Sequence, residues 1–207
     1  DAAERAAQMV YEHNVRRDGM LNRVYLNGAT SIGGQLEDFA NFIQALLILF
    51  NVTGKQQYLS QAVSLMDTTV QEFWDDKEGG FFLSPHDQAG PQLTRSRNSS
   101  DGATISAIAT TLDCLLRLLR CSALCDDTHS ELYYRQYIDT CLASLAGQIN
   151  ENSMSHTSLL RVIDEYKSGC TDPIQYAGNG LAKIVTRKTS SASEDKIVVE
   201  ITACLED

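Results

Sequence analysis

The sequence predicts an all-α fold of helical hairpins, set side by side as an (α/α) toroid or solenoid, with a short C-terminal β-hairpin. Three observations carry this. Helical periodicity runs from the start of the chain to about residue 166. A nearly all-apolar helix followed by an amphipathic one occurs twice, with inner helices starting about 65 residues apart, at 36 and 101. The last segment switches to alternating, β-branched residues. The predicted organisation is residues 1–168 as helical hairpins, 169–180 as a turn-rich boundary and 181–207 as a β-strand tail.

Taken in order, Ala2–Asn14 reads as an outer helix whose inner partner is missing. Leu36–Phe50 is apolar on too many sides for a surface helix, so it should be buried. Gly54, just past its end, suits a left-handed cap. From about Gln56 to Trp74 an apolar face (Tyr58, Leu59, Ala62, Val63, Leu65, Met66, Val70, Phe73) alternates with Gln, Ser, Asp and Thr, which predicts an outer helix. Ala103–Leu119 is the second inner helix and Tyr133–Leu145 the second outer one. The connecting stretches VYEHNVRRDGMLNRVY and QEFWDDKEGGFFLS run alike: aromatic, charged turn, Gly, apolar pair. Antiparallel hairpins of this size bury their inner helices by stacking on one another. SGCTDPIQYAGNG is dense in turn residues and marks the boundary before LAKIVTRK and KIVVEITACLE, the two expected strands.

Composition excludes several functions. At 207 residues and 43% hydrophobic content the chain can bury a sizeable core. Twenty-seven acidic against 17 basic residues repel phosphate backbones, so no nucleic acid partner is expected. The apolar run ALLILF is far below the roughly 18 residues of a membrane span. The chain opens on DAAERAAQMVYEH, without an apolar leader, which predicts a cytoplasmic location and a piece of a longer protein. With no leader, the glycosylation-like Asn51-Val52-Thr53 and Asn98-Ser99-Ser100 are read as chance matches. The six cysteines (114, 121, 125, 141, 170, 204) form no C-x-x-C and read as reduced, buried thiols. No two of the four histidines pair, so no metal or other cofactor is predicted.

DGMLNRVYLNG, GGQLEDFA, LFNVTGKQQYLSQA, FWDDKEGGFF and SSDGATISA, in that order, resemble the C-terminal part of the thioredoxin-fused six-hairpin proteins of the spermatogenesis-associated type. The resemblance covers residues 5–120, more loosely to about 166. It implies part of an (α/α) six-hairpin barrel, similar in fold to N-acylglucosamine 2-epimerases, with a thioredoxin-like domain upstream. It implies a fold more than a reaction. Where the family tends to continue Pro-Ser-Gly-Asn after DGAT, this chain has Ile105-Ser106-Ala107-Ile108, so an amide that would face the barrel mouth is replaced by Ile108.

Candidate site residues follow from the predicted mouth. Glu37, Asp38 and Asp101 all fall at starts of inner helices, which a ring of parallel inner helices would bring to one end. Sugar chemistry needs two converging carboxyl groups, one as acid and one as base or nucleophile. The competing reading is that they cap helix N-termini, a role worth roughly 0.5–2 kcal/mol each. Tyr25, Trp74 and Phe81, in the hairpin loops, would stack on a sugar ring, or close the end of the core. Arg97, with Arg95, would meet an anionic group such as a phosphosugar, or sit in a solvated loop. Gly79-Gly80 reads as a turn needing positive φ. His13, His86 and His156 are scattered, and no G-x-S-x-G supports a Ser-His-Asp triad. The leading expectation is a carbohydrate-binding or carbohydrate-processing barrel, epimerase- or glycosidase-like, with a sugar or phosphosugar ligand. The alternative is a non-catalytic scaffold or interaction module of a thioredoxin-like protein, open to self-association. A pocket for an apolar, terpenoid-like ligand is disfavoured, because the Asp-Asp pairs at 75–76 and 126–127 are short and loop-like.

Overall fold

The computed structural model describes residues 2–86, 94–124, 129–168, 183–188 and 197–202. Among them are six α-helices and two small antiparallel sheets of two strands each. The helices are α1 (Ala2–Asn14), α2 (Leu36–Thr53), α3 (Gln56–Phe73), α4 (Ala107–Arg120), α5 (Glu131–Glu151) and α6 (Thr157–Lys167). Between α1 and α2 runs a hairpin of β1 (Asn22–Leu26) and β2 (Ala29–Gly33). The expected C-terminal hairpin is present as β3 (Lys183–Lys188) and β4 (Ile197–Thr202), in register Lys183 to Thr202 through Lys188 to Ile197. The turn-rich segment 169–180 lies outside the described residues.

α2, α4 and α6 form one layer, with α4 in the middle packed on both neighbours. α3 packs on α2 and α5 on α4, and together they make a second layer. Contacts such as Trp74 edge-on to Tyr137 and His129 Nε2 2.6 Å from Asp67 join α3 to the α5 region. This is the inner and outer alternation that the sequence predicts. The core between the layers holds Leu36, Phe39, Ile43 and Leu46 of α2, Leu59, Leu65, Met66 and Phe73 of α3, Leu112, Leu115 and Leu118 of α4, and Tyr134 and Ile138 of α5. Burying side chains of this size gives about 1.5–3 kcal/mol each. α4 is buried on nearly every side, α2 less so: Ile48 and Val52 on its free face are exposed. By length and composition α2 would also pass for a membrane span, a test that core helices meet too, and counting unbroken apolar runs overlooks it.

Helix ends explain the arrangement. α2 stops where Gly54 adopts φ +67° and returns its N–H to the Phe50 carbonyl, as predicted. Two loops after outer helices share a plan. Val15 bridges Leu21 around Arg16–Met20, and Trp74 bridges Phe81 around Asp75–Gly80. Gly19 sits at φ +84°, Gly79 at +74° and Gly80 at +92°, where a side chain would be strained. The hairpin β1–β2 was not foreseen. Its turn is Asn27-Gly28, at φ +51° and +78°, the pair of left-handed residues that a tight hairpin turn requires.

α4 begins at Ala107, not near 101 or 103. Its N-cap is Ser106, whose Oγ accepts from the Ala109 N–H. Residues 101–106 are not helical, so Asp101 lies ahead of the helix rather than in its first turn. Ile108 is buried in the core and faces no mouth. Cys121 caps the C-terminus of α4, and a 3-10 turn, Ser122–Leu124, follows it. Cys114 and Cys141 are buried thiols; burial pushes both up, Cys141 to about 12.

Candidate functional site

The acidic residues at the start of α2 meet a base at once. Arg23, on β1, donates from Nε to both Asp38 carboxylate oxygens at 3.0 and 3.1 Å and from Nη2 to Glu37 at 3.1 Å. Asp38 also reaches back to accept the Gln35 N–H at 2.7 Å, the return arm of a capping box. The Glu37 side chain is 60% exposed and, among the described residues, holds its ion pair with Arg23 alone. The hairpin thus anchors the first turn of α2.

Asp101 staples two helices together. One carboxylate oxygen accepts the Ser106 N–H at 3.0 Å, at the entry to α4. The other accepts the Ser158 N–H at 2.9 Å and the Thr157 hydroxyl at 3.1 Å, in the first turn of α6. Its own N–H donates to the Ser155 carbonyl. Burial pushes this carboxyl up, but the hydrogen bonds from Ser158, Ser106 and Thr157 outweigh that and hold it below its ordinary value. Next to it Ser99 and His156 are both buried. His156 Nε2 stands 3.0 Å from Ser99 Oγ, and its Nδ1 stands 2.7 Å from the Asn152 carbonyl, to which it must donate. Ser99 Oγ also stands 3.1 Å from Gln148 Oε1. These groups tie the 94–106 segment to the end of α5 and the start of α6.

Two of the three aromatic candidates, Trp74 and Phe81, pack into the core. Phe81 is fully buried, and Trp74 packs edge-on against it at 5.0 Å and against Tyr137 at 4.8 Å. Tyr25 does not occupy the matching place in the earlier loop; Val15 and Leu21 do. It lies on β1, stacked on His13 at 4.3 Å. Arg97 is engaged by Asp75, Glu78 and the Gly79 carbonyl. Arg95 donates to the Ser84 and Glu72 carbonyls and lies over the Phe82 ring. Among the described residues no group of three His, Cys, Asp or Glu is placed to hold a metal ion.

One polar cluster was missed by the sequence reading. Asp113, in the middle of α4, is almost wholly buried. One of its oxygens accepts from Arg117 Nε at 2.8 Å and Gln44 Nε2 at 3.3 Å, the other from Arg161 Nη2 at 3.1 Å. Burial pushes the Asp113 carboxyl up, yet the Arg117 bond and the charges of Arg117 and Arg161 more than offset it, so it lies below its ordinary value. Glu165 continues the chain from Arg161 to Arg120. Because Asp113 touches both α2 and α6, and Arg117 one turn on is open to solvent, the cluster lies on the face of the layer away from α3 and α5. The signal available in sequence was an acid and a base at i, i+4 inside an otherwise apolar helix, DCLLR.

A layered set of helical hairpins, with its acidic helix starts engaged by caps and ion pairs, is the class of protein this geometry defines. The comparisons support the spermatogenesis-associated part of the motif resemblance. The chain is homologous over about half its length to spermatogenesis-associated protein 20: it is 31% identical to the Mus musculus protein and 30% to the Homo sapiens one, each over 114 residues. An uncharacterised protein of Caenorhabditis elegans is 26% identical over 178 residues. These matches cover 55%, 55% and 83% of this chain, but only 13%, 13% and 23% of those proteins, so the chain spans a small part of its relatives' length. No family model matches.

Proposed function

We propose that the chain is a non-catalytic helical-hairpin module, a run of an (α/α) array that serves to pack and position other parts of a longer protein. The observation that supports this best is the use of its carboxylates. Asp38 caps α2, Asp101 caps α4 and α6 together, and Glu37 pairs with Arg23. A glycosidase-like site would instead keep two carboxyl groups open to substrate, roughly 5–10 Å apart. The exposed Ile48 and Val52 of α2 fit the same reading. Among the described residues α4 is covered on both sides by neighbours in its layer, while α2 has one, so a further hairpin laid beside α2 would bury them. The thioredoxin-like domain that the family resemblance implies is the natural partner in a longer protein.

A panel of neutral mono- and disaccharides tests this by thermal shift on the whole chain. The expected result is no saturable rise in melting temperature for wild type or Glu37→Gln. A saturable rise in wild type that Glu37→Gln abolishes, with its unliganded stability unchanged, would restore the carbohydrate reading.

A further inference from the structure

The Asp113 cluster holds more positive charge than its own structure needs. One guanidinium suffices to neutralise a buried carboxylate, and here two converge on it from different helices. Counting the whole cluster, three guanidinium groups (Arg117, Arg120, Arg161) face two carboxylates (Asp113, Glu165). This surplus sits in a chain where acids outnumber bases by 27 to 17, so it runs against the general field.

The donors left over matter as much as the charge. Arg117 spends only Nε on Asp113, leaving both terminal amino groups unpaired among the described residues. Arg161 spends Nη2 on Asp113 and Nη1 on Glu165, leaving Nε. Side chains of Arg117 and Arg161 remain 39% and 49% exposed while Asp113 beneath them is 2% exposed. A buried carboxylate that accepts from two guanidinium groups on its opposite oxygens fixes both planes before any ligand arrives. That removes part of the side-chain entropy that binding otherwise costs. The planar fork that Arg117 keeps suits an oxyanion, which accepts two parallel N–H bonds, and Arg161 adds Nε as a further donor.

We propose that Arg117 and Arg161, oriented by Asp113 on the open face of the α2–α4–α6 layer, form a binding site for a small oxyanion-bearing ligand, a carboxylate or phosphate group. Arg120 stands at its edge through Glu165, and Gln44 of α2 fixes the third side of Asp113. The site stands independently of the packing role proposed above.

The test is binding of inorganic phosphate and of citrate to the whole chain, by calorimetry and thermal shift, against chloride at matched ionic strength. Saturable binding of at least one of them by wild type is expected, and the stronger of the two separates phosphate from carboxylate recognition. Arg117→Gln and Arg161→Gln should each weaken it about tenfold or more, the loss of one positive charge and its charge-assisted hydrogen bonding. Arg117→Lys, which keeps the charge but not the fork, should fall between wild type and Arg117→Gln. Arg135→Gln, which removes an exposed α5 pair with Glu131, should leave binding unchanged. Should Arg117→Gln fail to fold, Arg117→Lys and Arg161→Gln decide. The proposal is overturned if wild type shows no preference over chloride, or if the variants lose stability while binding these anions as wild type does.

Discussion

The starts of the first-layer helices and the middle of α4 both carry acidic side chains, and they use them differently. At the starts, Asp38 and Asp101 accept backbone N–H groups, which helices leave unpaired at that end. In the middle of α4 no backbone donor is free, so Asp113 turns to side chains from three helices. A carboxylate near a helix N-terminus is consumed by the helix itself. One in a helix interior must recruit cations, and those cations then remain available to something else. Position along the helix, more than residue type, separates a structural acid from one that organises a site.

Substitutions sharpen this contrast. The largest loss is expected for Asp113→Ala, which strips two arginines and Gln44 of their shared acceptor. Breaking a buried pair costs about 3 kcal/mol or more when the remaining charge stays buried, and the solvent exposure of both arginines brings the expectation to about 2–3 kcal/mol by chemical denaturation. Asp101→Asn comes next at about 2 kcal/mol, because it loosens the entries of two helices at once. Asp38→Ala should cost about 1 kcal/mol, the value of one cap. Glu37→Gln, whose partner and own side chain are both well exposed, should change stability by less than about 0.5 kcal/mol. Equal losses for Glu37 and Asp38 would show that the ion pair with Arg23, rather than the cap, anchors α2.

Much of the layered fold is legible in the sequence, because it follows from local periodicity. Ala2–Asn14 and the start of α2 at Leu36 emerge as read, and Gly54 ends α2 as its backbone freedom requires. The start of α4 is misplaced because Ser99, Ser100 and Asp101 have the composition of a cap, and Asp101 does cap, from a distance of several residues and for a second helix too. The β1–β2 hairpin is not legible from helical periodicity, although Asn27-Gly28 is a strong turn signal, because its strands are short and the charged stretch before it resembles the later loop. The Asp113 cluster is the least legible, since Arg161 lies 48 residues away and only the packing of α6 on α4 brings it in. Candidate acids could be found by residue type, but whether their oxygens were already occupied depends on contacts between helices.

The most direct test of the account is thermal unfolding of wild type and Asp101→Asn across pH. The folded-state carboxyl of Asp101 lies below its ordinary 3.8, so its contribution is complete above the unfolded value and is lost as pH falls through the lower, folded one. At pH 7 the variant should melt about 4–8 °C below wild type, and the gap should close steadily as pH drops below about 4. Equal melting temperatures at pH 7, or a gap that persists unchanged into acid, would contradict the claim that this carboxylate holds helix ends together.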